Sequence, residues 1–183
     1  MLQPRNNYAF IDSQNLNLGI REMGWNLDFR KFRIYLKEKY GVSKAYLFIG
    51  FLPENQNLYK ALQEYGYVLV FKPVLKGNQG KPKGNVDADL VLQTMLDYNN
   101  YNKAVIVTSD GDFYCLINYL YAQTRLRIVI SPNIEKCSVL LKKAAKELIV
   151  FMDNLRTKLE YKEKGHSNEK APPRDKTQRS AFS

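Results

Sequence analysis

Hydrophobic residues alternate along the chain between short continuous runs and runs with a spacing of three or four positions. The continuous runs predict five β-strands, at residues 8–11, 44–51, 67–71, 103–107 and 127–130. The spaced runs predict helices, at residues 28–40, 54–65, 86–98, 112–123 and 138–155. Strands that alternate with helices predict an α/β fold with a mainly parallel sheet.

The boundaries of these elements carry residues that start and stop regular structure. Asp28 is a predicted N-cap, and Gly41 is the predicted residue after the C-terminus of the same helix. In the helix at 86–98 we expect Leu90, Val91 and Met95 on the inner face, with Thr94 as a further candidate. Residues 72–85 contain four lysines, three glycines and two prolines, without an apolar period, and predict a loop.

Length and composition favour one folded domain with a short extension. We predict a domain over residues 1–157 and a basic, disordered tail over residues 158–183, where hydrophobic residues become scarce. The chain contains no run of about 18 apolar residues, so no membrane helix is predicted. Residues 1–7 also lack the apolar segment of a signal peptide, which predicts a cytoplasmic protein. The net charge of +10 favours a polyanionic partner.

Four aspartates stand where the predicted elements meet. Asp12 follows the first strand, Asp110 and Asp112 follow the strand at 103–107, and Asp87 opens a helix. The carboxyl ends of parallel strands share one edge of a sheet, so these side chains should lie close together. Two charges 4 Å apart cost roughly 4 kcal/mol at an effective dielectric near 20. One or two Mg²⁺ or Mn²⁺ ions would remove that cost, which predicts a metal site.

Each acid also has a purely structural interpretation. Asp12 could be a helix N-cap, and Asp112 suits a capping role better than Asp110 does. Asp87 is in register with the inner face of its helix, whereas Asp89 lies about 200° around the axis and should face solvent. Because three separate segments bring acids to one edge, we favour a shared site over unrelated caps.

Polar and basic residues near the acids predict contacts with a phosphodiester. Asn15, three residues after Asp12, could orient Asp12 or contact a phosphate. Basic side chains are predicted to bind the flanking nucleic-acid backbone, namely Lys76, Lys81, Lys83 and Arg21. The alternative for the lysine loop is a solvated, mobile segment. The single histidine, His166, lies in the predicted tail, so a carboxylate or a metal-bound hydroxide would act as general base.

Three segments of the chain resemble the signature segments of NYN domains, the LabA family of the PIN-like nuclease superfamily. They are Asp12-Ser13-Gln14-Asn15, Lys83-Gly84-Asn85-Val86-Asp87-Ala88-Asp89-Leu90 and Thr108-Ser109-Asp110-Gly111-Asp112-Phe113. Asn85 is an extra residue relative to the usual second segment. The resemblance implies a Rossmann-like, three-layer α/β/α sandwich and a divalent-metal-dependent ribonuclease.

The resemblance also assigns roles by position. Asp12, Asp87 and Asp110 correspond to the metal-binding aspartates of the family, and Asp112 to a further acidic position. Asn15 corresponds to the asparagine of the first segment, and Ser109 to the small polar residue before the acidic pair.

The expected function is therefore hydrolysis of RNA, single-stranded by expectation, at an aspartate-rich metal site. The alternative is a non-catalytic RNA-binding or regulatory module, for which the acids would be structural. Metal dependence separates the two, and the oligomeric state stays open. A haloacid-type phosphatase is disfavoured, because Asp12-Ser13-Gln14 lacks the Asp-x-Asp-x-Thr pattern of that class.

Overall fold

The computed structural model describes residues 6–72 and 86–162, together with the backbone of two short strands at 75–76 and 82–83. The strands are β1 (Asn7–Asp12), β2 (Val42–Gly50), β3 (Tyr67–Lys72), β4 (Leu75–Lys76), β5 (Pro82–Lys83), β6 (Ala104–Val107), β7 (Leu126–Ser131) and β8 (Ile149–Phe151). The helices are α1 (Ser13–Glu22), α2 (Phe29–Tyr40), α3 (Gln56–Glu64), α4 (Val86–Leu96), α5 (Tyr114–Ala122), α6 (Val139–Ala145) and α7 (Arg156–Leu159). Short 3₁₀ turns occur at Pro53–Asn55, Gly111–Phe113 and Asp153–Leu155.

Six parallel strands form one sheet in the order β3-β2-β1-β6-β7-β8. This arrangement confirms the predicted α/β class, and β4 and β5 form a separate antiparallel pair. The chain builds outward from β1 to β3 on one side, then returns to β6 and builds outward to β8 on the other. The crevice between the carboxyl ends of β1 and β6 is therefore the topological switch point, where such sheets place their ligands.

Both faces of the sheet are covered, which explains why its central strands are apolar throughout. Alternate residues of β1 enter the two cores: Ile11 packs with α1 and α2, and Phe10 packs with α4 and α5. Both side chains are fully buried. The fold is thus the three-layer α/β/α sandwich that the sequence predicted.

Helix caps fix the ends of α2 as predicted. The Asp28 carboxylate accepts a hydrogen bond from the backbone N–H of Lys31 at 3.0 Å. Gly41 ends the helix in the left-handed conformation with φ of 66°, which glycine adopts without steric cost. In α4, however, Thr94 and not Met95 is buried. Met95 is 37% exposed, while the Thr94 hydroxyl donates to the Leu90 carbonyl inside the helix.

The prediction of one helix over residues 138–155 is wrong. The helix ends at Ala145, Lys146 has a φ of 51°, and residues 149–151 form the sixth strand of the sheet. This segment contains Ile149 and Val150, whose β-branched side chains favour a strand, and it pairs with β7. An apolar run this short fits either a helix or a strand. It forms a strand because the edge of β7 is open to pair with it.

The folded body continues past the predicted domain boundary at residue 157. Leu159 is fully buried, and the backbone N–H of Tyr161 donates to the Asn26 carbonyl at 2.9 Å. Residues 163–183 of the predicted tail lie outside the described residues. Among the helices that the structure describes, none is long and apolar enough to cross a membrane.

Candidate metal centre

Asp12 occupies the end of β1 and the beginning of α1 at once. It is the last residue of the strand and the N-cap of the helix, and its carboxylate accepts the N–H of Asn15 at 3.0 Å. Only 6% of the residue is exposed. The capping interpretation of Asp12 therefore holds, but a buried carboxylate at the switch point is also available for chemistry.

Asp110 and Asp112 lie just beyond β6, on a tight 3₁₀ turn that begins at Gly111. The Asp110 carboxylate accepts the N–H of Asp112 at 3.0 Å, and the Asp110 N–H donates to the Thr108 hydroxyl at 3.1 Å. The expectation that Asp112 would be the better cap is wrong. Because the turn starts at Gly111, Asp110 is the N-cap residue, and Asp112 is left exposed on the first turn.

Asp87 completes the cluster from the first turn of α4. One carboxylate oxygen from each of Asp87, Asp110 and Asp112 lies within 4.8 Å of the other two. Asp12 is outside this set of three, yet its charge interacts with those of Asp87 and Asp110. The structure thus brings the four predicted acids to one edge of the sheet, with Asp12 the most buried of them, while Asp89 faces solvent.

Burial and mutual repulsion raise the pKa of two of these carboxyls. Burial is the main cause for Asp12, whose pKa rises to about 6 from 3.8, and the charges of Asp87 and Asp110 add to it. The hydrogen bond from Asn15 acts in the opposite direction. Burial also raises the pKa of Asp87, with further contributions from Asp110 and Asp112, and the positive charge of Lys72 opposes them. Asp12 and Asp87 therefore ionise less readily unless positive charge is near them.

Asn15 connects the ends of the two central strands. Its side-chain Oδ1 accepts the backbone N–H of Ser109 at 2.7 Å, while its own backbone N–H is held by Asp12. The Ser109 hydroxyl lies 2.9 Å from the hydroxyl of Ser131, which ends β7. These contacts fix Asp12 relative to the Asp110 turn, so Asn15 and Ser109 are positioning residues in this structure.

The sequence assigned no role to two polar residues at this edge, Thr108 and Ser131, and it placed Lys72 only among the lysines of the loop. Lys72 ends β3, Thr108 follows β6 and Ser131 ends β7, so all three stand at the carboxyl edge of the sheet. Hydroxyl residues recur there, since Thr108 and Ser109 follow β6 and Ser131 ends β7. That recurrence was visible in the sequence, but it identifies a shared edge only once the strand order is known.

The predicted basic contacts are only partly described. The side chains of Lys76 and Lys83, and all of Lys81, lie outside the described residues. Arg21 is in the last turn of α1, nine residues after Asp12. At 1.5 Å per residue it lies about 14 Å along the helix from the acids. Arg21 is therefore placed to contact only a distant part of a long ligand.

Gly111 allows the acidic turn to pack against α6, and this makes a testable prediction. A Cβ at position 111 would lie 2.4 Å from the Ser138 hydroxyl oxygen and 3.1 Å from the Ser138 Cβ. We expect Gly111→Ala to lower the free energy of unfolding by about 1–3 kcal/mol in a urea titration. Ser138→Ala removes the nearest atom, so the double variant should lose less than the two single losses added together. Additive losses would contradict this packing.

Known proteins resemble this chain in sequence and in fold. A family model described as NYN domain matches residues 8–154, which include all four acids. The chain belongs to the NYN domain family. NYN domains are part of the PIN-like nuclease superfamily, so the resemblance seen in the signature segments is confirmed. Two individual proteins extend the comparison beyond the family model.

The first is the low amplitude and bright protein LabA of Synechococcus elongatus, which is 28% identical over 131 residues. That match covers 66% of this chain and 70% of LabA. The second is the crystal structure of a protein of unknown function from Vibrio parahaemolyticus, with a TM-score of 0.69 and 21% identity. It covers 84% of this chain and 97% of the Vibrio chain, so the two chains share one fold.

Proposed function

We propose that this NYN domain is a divalent-metal-dependent ribonuclease that hydrolyses RNA phosphodiester bonds. One observation carries the proposal, namely the convergence of Asp87, Asp110 and Asp112 to within 4.8 Å at the sheet's switch point. Close carboxylates repel each other, and this repulsion adds to the burial that raises the pKa values of Asp12 and Asp87. A cation that lowers this cost is the natural ligand of such a cluster.

The donor atoms fit Mg²⁺ or Mn²⁺. Carboxylate oxygens are the ligands that these hard cations prefer. Asp87, Asp110 and Asp112 would hold such an ion, because one oxygen from each lies within 4.8 Å of the other two. Asp12 would complete the set directly or through water, because its charge already acts on Asp87 and Asp110.

A bound ion of this class lowers the pKa of a water molecule and neutralises charge that develops on the phosphoryl group. The protein would supply the remaining functions. Asn15 and Ser109 hold Asp12 and the Asp110 turn in fixed relation. Carboxylates would accept the proton of the attacking water, because no histidine lies among the residues that the structure describes. Lys72, whose charge reaches Asp87, would contact an adjacent phosphate.

RNA is the proposed substrate, in single-stranded form and in the cytoplasm. The net charge of +10 suits a polyanion, although several acids are gathered at one site. Lys76, Lys81, Lys83 and Arg21 are the proposed contacts to the flanking backbone. Backbone contacts carry little sequence preference. Cys115 and Cys137 are free thiols, as is usual in a reducing compartment.

Purified protein is expected to cleave a 5′-labelled single-stranded RNA with Mn²⁺ or Mg²⁺ and to stop when EDTA is added. The products would be resolved on a denaturing gel, with duplex RNA and single-stranded DNA as comparison substrates. Salt-sensitive binding without product, unchanged by EDTA, would contradict the ribonuclease and favour the non-catalytic RNA-binding module.

A further inference from the structure

Two phenylalanine rings are exposed together beside the acidic edge of the sheet. Phe51 and Phe71 are each 41% exposed, and their ring centroids lie 5.4 Å apart at an interplanar angle of 85°. They are neighbours because β2 and β3 pair in register, with Ile49 opposite Phe71. The Phe51 N–H also donates to the Lys72 carbonyl at 3.3 Å, which continues the pairing past the strand end.

A third, buried ring holds this pair in place. Tyr59 of α3 lies 4.8 Å from Phe71 and 5.9 Å from Phe51, measured between ring centroids. Its hydroxyl donates to the Gly50 carbonyl at 2.9 Å and accepts the Leu52 N–H at 2.8 Å. The two exposed rings are therefore supported from beneath, and a ligand that stacks on them would lose little side-chain entropy in binding.

The ring pair lies close to the acidic centre. In β2, Phe48 is the register partner of Asp12, so Phe51 is three residues farther along the neighbouring strand. Strand spacing and rise place the two Cα atoms about 11 Å apart. Lys72 directly follows Phe71, and its positive charge reaches Asp87 of the cluster. The ring pair, Lys72 and the acidic centre thus lie in sequence at the same edge of the sheet.

We propose that Phe51 and Phe71 form a stacking platform for a base of single-stranded RNA whose backbone passes Lys72 to the acidic centre. The proposal rests on the ribonuclease function above and adds a base-binding subsite to it. Every base has a π-face, so such a platform selects unpaired nucleotides without selecting sequence. Lys72 favours this occupant over an apolar protein surface, because such a surface would desolvate its charge without supplying an anion.

The decisive test replaces each ring by an apolar side chain without a π-system. Phe51→Leu and Phe71→Leu should each weaken binding of a fluorescein-labelled single-stranded RNA about 5- to 100-fold in anisotropy titrations, because stacking contributes about 1–3 kcal/mol per base. Phe71→Trp should restore near wild-type affinity. EDTA in the buffer prevents cleavage, and Ile34→Ala, an exposed apolar site on α2, is the matched control.

A second readout does not depend on variant stability. An RNA carrying 2-aminopurine should show quenched fluorescence on wild-type protein if its base stacks on a ring, and duplex RNA should bind more weakly. Binding of both leucine variants at wild-type affinity overturns the platform. The platform is also overturned if the leucine variants lose self-association in sedimentation while their RNA affinity is unchanged. The rings would then contact a second copy of the chain.

The two proposals fail in different ways. If the wild type does not cleave with Mn²⁺ but the leucine variants still lose RNA affinity, the ribonuclease proposal is contradicted. The platform is then supported as an RNA-binding surface. If cleavage is metal-dependent and KM is the same in wild type and both leucine variants, the platform falls alone.

Discussion

Asp110→Asn protein should cleave RNA at least about 100-fold more slowly than wild type. Mutation of residues that only hydrogen-bond to metal ligands already lowers activity about 10- to 100-fold, and Asp110 is a proposed ligand itself. Asp110 lies within 4.8 Å of Asp87 and Asp112 and also interacts with Asp12. Asparagine removes the charge that a cation needs. It keeps an oxygen that can accept the Asp112 N–H, so the turn should remain folded. The measurement is single-turnover cleavage with saturating Mn²⁺.

A matched control separates loss of the site from a general change of charge. Asp89→Asn makes the same substitution on α4, two residues from Asp87, at an exposed side chain outside the cluster. It should cleave at the wild-type rate. Equal cleavage by wild type and Asp110→Asn would contradict the proposed centre and would point to a nuclease carried through purification. Unaltered thermal unfolding of Asp110→Asn would exclude misfolding as the cause.

Asp12→Asn should make the metal-free protein more stable above pH 6, although a polar buried residue is being changed. The folded protein raises the pKa of Asp12 from 3.8 to about 6, mainly by burial. Ionised Asp12 thus disfavours the folded state by about 3 kcal/mol, at 1.4 kcal/mol per pKa unit. Asparagine caps helices as well as aspartate does, so the contact with Asn15 can survive. We expect a gain of about 1–3 kcal/mol in urea titrations at pH 7.5.

The sign of the pH dependence follows from the same pKa. Above about pH 6 Asp12 is charged in both the folded and the unfolded chain, and the full cost is present. As the pH falls from 6 toward 4, Asp12 takes up a proton in the folded state first, so its destabilising effect on the folded protein decreases. The difference in the free energy of unfolding between wild type and Asp12→Asn should therefore become smaller across that interval. A difference that stays constant with pH would contradict the raised pKa.

Metal should reduce the stability advantage of Asp12→Asn over wild type. Mn²⁺ at 100 times its Kd stabilises a folded protein by about 2.7 kcal/mol, and a variant that binds it weakly gains less. Wild type should therefore gain more than Asp12→Asn in thermal melts with Mn²⁺, and EDTA should abolish the gain. If Asp12→Asn lowers stability in EDTA at pH 7.5, the capping role of Asp12 dominates over its charge.

Sequence patterns predicted the local structure around the candidate site correctly where one segment determines the outcome. The apolar run before Asp12 and the polar residues after it specify a strand followed by a helix, and Asp12 caps that helix. Asp87 was placed on the buried side of α4 by its register with Leu90, which is fully buried. By contrast, the choice of Asp110 over Asp112 as the cap depended on where a 3₁₀ turn begins, and apolar periodicity contains no information on that point.

The alternation of strands and helices, and the positions of acids at strand ends, follow from local hydrophobic period and capping chemistry, so the sequence alone predicts them. Folding of the whole chain makes β1 and β6 neighbours, and this places Asp12 and Asp110 at one crevice. It also decided that Ile149–Phe151 is a strand, and that Phe51 and Phe71 meet beside Lys72. These outcomes depend on pairing between segments far apart in the chain, and the free energy of such pairing appears in no single window of residues.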